Sequence, residues 1–340
     1  MFLTPFGVLS VLEGILPATT FTHRHYEAIK FVTSIPSATA WYPNVVSEKI
    51  AVGDLCHHTK AAIQKTEHWI TDQYGFRNDT FINTPRVVII GDSFIQGSGL
   101  NQSETLANRM IAHTGGQLTV YSMAPSNLNQ FDQFLQKGIL KKPDWVIVAV
   151  VERNQPTPFK PYQENQLIRL KNLVKNVLSF QNFNVFLDKM FRCYSLKWAK
   201  ARIRGENGRG IPGARGSGMF FLRGKAQQDE IPDLRGVSEI IQGYDLYCKS
   251  RGINFLFLPM PNKESVYFEQ VPLAHQPKYL AQLDCELVAK EIRTINTLEL
   301  YNEYRSQSSQ LLYHLDDTHW NPTATDLVAK KILTLLKQDP

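Results

Sequence analysis

The run RVVIIGDS, from Arg86 to Ser93, sets four β-branched residues between Pro85 and Gly91 and follows them at once with an aspartate and a serine. An apolar run this short, bounded by chain-turning residues, is the pattern of a strand buried on both faces. Reading outward, LTVYSM (Leu118 to Met123) and DWVIVAVV (Asp144 to Val151) repeat it as second and third strands. Between them the spacing predicts a helix over Ser103 to His113, with Ser103 as N-cap, and another over Asn129 to Gly138. The alternation resumes near the C-terminus. A helix is expected over Val237 to Ser250, a strand at INFLFLP (Ile253 to Pro259) and a helix around Tyr279 to Glu291. A strand at INTLELY (Ile295 to Tyr301) and a helix over Thr323 to Gln338 follow. Strands alternating with helices imply an α/β fold whose parallel sheet carries helices on both faces. Ligands of such sheets sit beyond the carboxyl ends of the strands.

The 340 residues are 43% hydrophobic and 20% charged, enough to bury a full core without staples. Collagen, coiled coil and wholesale disorder are excluded by the same composition. Cys56, Cys193, Cys248 and Cys285 lie far apart, which excludes a disulfide scaffold and a cysteine-rich zinc module. The net charge of +6 is uneven. Lys160 to Lys225 carries a local +11, leaving the rest slightly acidic. Such a segment suits a solvated insertion first, and an anionic polymer or membrane surface second.

The chain therefore divides, on its pattern, into an irregular N-terminal segment (1–84), a regular domain (85–154 and 236–340) and a basic insertion (155–235) after the third strand. The insertion holds helical stretches over Gln166 to Phe180 and Val185 to Arg204. It then runs through six glycines between Gly205 and Gly218, a stretch read as irregular and mobile. Its aromatics Phe180, Phe183, Phe186 and Trp198 fall at helix-like spacing and read as internal packing, so no nucleic-acid partner is expected. The apolar stretch Phe2 to Ala18 is short for a membrane span and lacks the basic start of a signal peptide.

Two motifs carry chemistry. Gly91-Asp92-Ser93 puts a hydroxyl at the carboxyl end of a buried strand, where an α/β fold displays a nucleophile. LDDTHWNP, Leu315 to Pro322, precedes the last helix. A serine attacks well only when a base takes its proton, and the base works best when a carboxylate fixes its tautomer. Asp316 and Asp317 stand three and two residues before His319, so either can orient it. Cys56-His57-His58 lacks partners that complete a metal site, and GRGIPGARGSG lacks the ending of a phosphate loop. No cofactor and no metal are expected. Trp320 reads equally as a wall of the acyl pocket, and so a substrate contact, or as a pin for the histidine loop.

Together these motifs resemble the SGNH hydrolase superfamily, the GDSL esterases and lipases, across about residues 85–154 and 236–340. The resemblance rests on GDSFIQGSGL and the aspartate–histidine loop. It implies a flavodoxin-like three-layer α/β/α sandwich, with Ser93 as nucleophile and His319 as base. It also implies an oxyanion site made by the Ser93 and Ala124 N–H groups and the Asn154 side chain. Ala124 stands where members carry glycine. Around Asn154, Glu152 and Gln155 replace the glycine and aspartate of the family's block. DTHW (Asp317 to Trp320), VVERN and PNKESVY (Pro261 to Tyr267) are similar to the branch of alginate O-acetyltransferases and other polysaccharide acetylation proteins. That likeness favours Asp317 over Asp316. It is a likeness of site only, because that branch places its aspartate–histidine motif before the serine.

The resemblance thus implies a serine esterase acting through an acyl-serine on acyl or acetyl esters of a carbohydrate or lipid. The alternatives are an O-acetyltransferase of a cell-surface polysaccharide and, third, a non-catalytic carbohydrate-binding or assembly protein. An extracytoplasmic or membrane-associated place, with Phe2 to Leu16 as an anchor remnant, goes with it.

Overall fold

The computed structural model describes residues 41–56, 59–163, 210–214, 216–225, 233–271 and 276–338. The expected anchor stretch and both expected helices of the insertion lie outside them. Among the described residues no helix is long and apolar enough to cross a membrane.

The central sheet is built from β3 (Val87–Ile90), β4 (Val120–Met123), β5 (Trp145–Val151) and β8 (Asn254–Met260), in the order β4-β3-β5-β8. All its pairings are parallel. The first strand lies inside and the second at the edge, which is the flavodoxin-like order. Every residue of β3 and β4 is buried, as both faces of the sheet are covered by helices.

The flanking helices lie, all but one, where the pattern places a helix. They are α2 (Leu106–His113), α3 (Leu128–Gln136), α4 (Leu234–Lys249), α6 (Tyr279–Ala289), α7 (Thr297–Gln307) and α8 (Pro322–Gln338). Two short pieces, α1 (Ser93–Gln96) and α5 (Lys263–Val266), sit at strand exits. The second helix starts later than its sequence suggests. Gln102 to Glu104 form a 3-10 turn, and Thr105 rather than Ser103 caps the helix by accepting from the Asn108 N–H.

The expected last strand is a correction. Ile295 to Tyr301 does not join the sheet as a strand. A single parallel bridge from Thr294 to Phe257 is all that forms. The Asn296 side chain accepts from the Glu299 N–H at 3.1 Å and starts α7 instead. The Thr297 hydroxyl donates to the Pro259 carbonyl, which holds the helix start against the end of β8. An N-cap with a first-turn glutamate outweighs the β-like appearance of INTLELY.

Two hairpins were not legible as such. β1 (Val46–Ala51) and β2 (Lys65–Ile70) pair antiparallel within the segment read as irregular. β6 (Gly210–Pro212), inside the glycine-rich stretch read as mobile, pairs with β7 (Phe220–Leu222) just beyond it. This hairpin and its turn are tied into the fold by their backbone. Gly210 donates to the Leu55 carbonyl, Ala214 to that of Gln270 and Phe220 to that of Leu315. Partners so distant in sequence leave no local trace, which is why the stretch reads as loop.

The segment leading into the sheet is fixed by a buried cation. Arg77 donates to the carbonyls of Gly97 and Leu100 at 2.6 and 2.7 Å, and to those of Gln96 and His68. Its guanidinium lies 3.9 Å from the centre of the Trp69 ring. It thereby clamps the loop that follows the GDS serine onto β2.

Candidate active site

Ser93 begins α1 at the carboxyl end of β3. Asp92 caps the helix by accepting from the Phe94 N–H at 3.0 Å. The exit is tight: a Cβ on Gly91 would lie 2.5 Å from Cγ1 of Ile95 and 3.3 Å from Cβ of Ala149. Only glycine lets the chain turn between the two.

His319 comes to Ser93 from the far end of the chain. Its Nε2 is 2.8 Å from the Ser93 hydroxyl and its Nδ1 is 2.6 Å from Oδ1 of Asp317. The same Asp317 oxygen accepts from the His319 main-chain N–H at 3.0 Å, so ring and backbone are held together. Asp316 faces elsewhere. Its Oδ2 accepts from the N–H groups of Gly53 and Ile63 at 2.9 and 2.8 Å, closing the chain around the β1–β2 connection. A Cβ on Gly53 would come within 2.0 Å of the Asp316 carbonyl oxygen, so this close approach also requires glycine.

Burial and charge set the protonation. Burial pushes the His319 imidazole down, but the charge and hydrogen bond of Asp317, with the charge of Asp54, outweigh it and raise its pKa. Burial pushes Asp317 up. The His319 charge and hydrogen bond, then Lys65 and His314, outweigh that and hold it well below the usual carboxylate range. The Lys65 ammonium stands 3.5 Å from Oδ2 of Asp317.

The histidine turn is supported from below. Lys263, 0% exposed, donates from Nζ to the carbonyls of His314, Leu315 and Asp317 at 2.6, 2.9 and 3.2 Å. Burial outweighs the surrounding carboxylates and lowers its pKa to about 8. Glu152 anchors the segment that carries Lys263, accepting from the Asn262 N–H at 2.8 Å and the Ser265 hydroxyl at 2.6 Å. Sequence reasoning missed both roles. PNKES and VVERN stood out only as wording, although a lysine beside three polar residues after a buried strand is a signal of a buried anchor.

The expected oxyanion residues converge on the same strand ends. Met123 pairs with Ile90, so Ala124 lies beside Gly91. Asn154 follows β5, and its Nδ2 donates to Oδ2 of Asp92 at 3.0 Å. An amide nitrogen has two N–H groups, so one donor is left beyond this bond. Trp320 is corrected as a substrate contact. It is 0% exposed, and its indole N–H donates to the Phe94 carbonyl at 3.1 Å, pinning the histidine loop to α1.

Asp54, unremarked in sequence, completes the cluster. It accepts from the Thr318 N–H at 2.8 Å and hydroxyl at 2.9 Å. Oxygens of Asp54 and Asp317 and a ring nitrogen of His319 lie within 4.8 Å of one another. Both ring nitrogens of His319 are already engaged, by Ser93 and Asp317, so the group reads as a hydrogen-bond and charge network. A cleft of about 370 Å³ opens on the other side of the turn, lined by Ile63, Lys65, Gly99, Tyr313 and His314 among others, and excluding Ser93 and His319.

A hydroxyl, an imidazole and a carboxylate thus stand in series at the carboxyl edge of a flavodoxin-like sheet. Residues 219–340 match the family described as the SGNH hydrolase-like domain, acetyltransferase AlgX. That match covers about a third of the chain, and it supports an acyl esterase or O-acetyltransferase. Similar solved structures include a member of the lipolytic protein G-D-S-L family from Veillonella parvula, 8% identical with a TM-score of 0.39, covering 75% of this chain and 98% of that one. A mutant of Axe2, an acetyl-xylooligosaccharide esterase from Geobacillus Stearmophilus, is 12% identical with a TM-score of 0.37, covering 74% and 93%. AlinE4, an SGNH-hydrolase family esterase, is 12% identical with a TM-score of 0.31, covering 76% and 100%. No curated protein matches the sequence.

Proposed function

We propose that the protein is a serine ester hydrolase or O-acyltransferase that works through an acyl-serine on Ser93. The observation that carries this reading is the continuous contact from the Ser93 hydroxyl through His319 to Asp317. His319, neutral at Nε2, takes the hydroxyl proton as the serine oxygen attacks the ester carbonyl. Asp317 fixes the tautomer with its hydrogen bond to Nδ1 and stabilises the imidazolium. The carbonyl oxygen becomes an oxyanion, for which the Ser93 and Ala124 N–H groups and the Asn154 amide are the proposed donors. One such donor is worth about 3 kcal/mol of barrier. Collapse expels the alcohol, which takes the proton from His319, and leaves the acyl group on Ser93. Water or a sugar hydroxyl then attacks with His319 again as base.

The transferase outcome is favoured by the description of the matching family as that of an acetyltransferase. In that reading the acceptor is a polysaccharide hydroxyl, and an extracytoplasmic or membrane-associated place goes with it. Fractionation of cells expressing the full chain tests that place.

The experiment is covalent labelling with a fluorophosphonate, followed by peptide mapping. Labelling of Ser93 in the wild type and none in Ser93→Ala is the expected result. A wild type that stays unlabelled would sink the acyl-serine reading.

A further inference from the structure

Asp54 stands in the connection between β1 and β2, outside the matched residues 219–340. Nonetheless it grips the residue between Asp317 and His319 with both carboxylate oxygens, through the Thr318 N–H and hydroxyl. This places a second carboxylate against Asp317, with oxygens of both within 4.8 Å of a His319 ring nitrogen. Two half-buried or buried anions repel unless a cation faces them. Lys65 stands 3.5 Å from Oδ2 of Asp317. Lys263 lies toward both from beneath the turn, and the His319 imidazolium is the cation that appears beside both during turnover, when Nε2 takes the Ser93 proton. An interaction stronger in that charged state than in the resting state lowers the barrier to reaching it.

We propose that Asp54 is a positioning residue of the Ser93–His319–Asp317 relay, a second carboxylate that orients the histidine turn through Thr318 and holds the imidazolium formed when Ser93 gives up its proton. The inference rests on the acyl-serine reading for its catalytic meaning, and on the contacts alone for its charge effect. The other charged groups around the relay oppose or balance it. Arg153, whose guanidinium lies 5.4 Å from the centre of the Phe94 ring, lowers the His319 pKa. Lys65 and His314 act on Asp317. Lys263 lies under the turn with its charge toward Asp54, Asp316 and Asp317. Burial, then the charge of Asp317, raises the Asp54 pKa, so on acidification Asp54 takes a proton before Asp317 does.

The test compares wild type, Asp54→Asn, Asp54→Glu and Thr318→Val. Turnover of p-nitrophenyl acetate is followed across pH, and the His319 ring protons are titrated by NMR. Asparagine keeps an acceptor for Thr318 and removes the charge. Asp54→Asn should lower the His319 pKa and move the acid limb of kcat/KM down by roughly one pH unit, with the plateau falling about tenfold. Asp54→Glu should move the limb back toward wild type. Thr318→Val should leave it in place. An unmoved limb and an unmoved NMR titration in Asp54→Asn would overturn the proposal, whatever the loss of rate. If Asp54→Asn does not fold, Asp54→Ser carries the same expectation. If wild type shows no Ser93-dependent turnover, the acyl-serine reading fails. The NMR titration still decides whether Asp54 acts on His319.

Discussion

Asp316 and Asp317 are neighbours whose carboxylates serve opposite sides of one turn. Asp317 meets the His319 ring at 2.6 Å, while Asp316 receives the N–H groups of Gly53 and Ile63. One carboxylate belongs to the relay and the other to the joint between the N-terminal hairpin and the C-terminal loop. Asp317→Asn should therefore lose on the order of 10⁴-fold in kcat with a near-normal melting temperature, because asparagine favours the wrong tautomer. Asp316→Ala should do the reverse. It leaves the buried Gly53 N–H unpaired, at about 1–3 kcal/mol, and frees the more exposed Ile63 N–H as well, so thermal unfolding should shift far more than the kcat of the folded fraction. Equal rate losses in the two variants would contradict this division.

Ser93 and His319 act in one proton transfer, so their losses should not add. Ser93→Ala, His319→Ala and the double variant should all fall to a similar residual rate on p-nitrophenyl acetate. A double variant much slower than either single would show that the two work separately. In wild type the acid limb should lie above pH 6.5, since the base must be neutral and the net effect of its surroundings is to raise its pKa. The stability linked to that raised pKa is present below the pKa of the unfolded histidine and fades as pH rises through the folded one.

Lys263 holds three carbonyls of the histidine turn and has no exposed surface. Lys263→Met keeps most of the volume and removes every donor. A loss of about 2 kcal/mol is expected from carbonyls left unpaired, seen as a melting temperature lower by about 4–8 °C. The turnover of the folded fraction should fall too, since the Asp317 and His319 backbone loses its support. A variant with wild-type stability and rate would show that the contacts are incidental.

Glu152 offers a pH test away from the relay. Burial outweighs its hydrogen bonds from Ser265 and Asn262 and raises its pKa to about 7, against an ordinary value of 4.5. A carboxyl whose folded pKa is raised favours folding while protonated. That contribution is complete below pH 4.5 and is lost as pH rises through about 7. Glu152→Gln stays neutral and keeps an acceptor. It should be more stable than wild type at pH 8 and closer to it at pH 5 in denaturant titrations. A difference that does not change with pH would count against a buried, proton-holding Glu152.

The sheet, its parallel sense and the Ser93–His319 pairing were all legible in the chain, because each leaves a local mark. Buried strands need unbroken β-branched runs, a tight exit needs Gly91, and a base needs a carboxylate within one loop. Near misses came where two local signals competed. Ile295 to Tyr301 has strand-like residues, yet the Asn296 cap turned it into a helix. Ser103 was a plausible cap, yet Thr105 faced the free N–H of Asn108.

Tertiary structure alone decided the contacts made across long stretches of chain. Asp54 reaches Thr318 and Asp316 reaches Gly53 across more than 260 positions. Gly210 donates to the Leu55 carbonyl from within a stretch that reads as loop. Trp320 proved to be a pin because the Phe94 carbonyl waits above it. Local pattern reports which residues a segment can bury or turn upon. Which backbone group or charge meets them there depends on how distant segments pack, because hydrogen bonds and buried charges are satisfied by whatever lies within about 3 Å, irrespective of sequence distance.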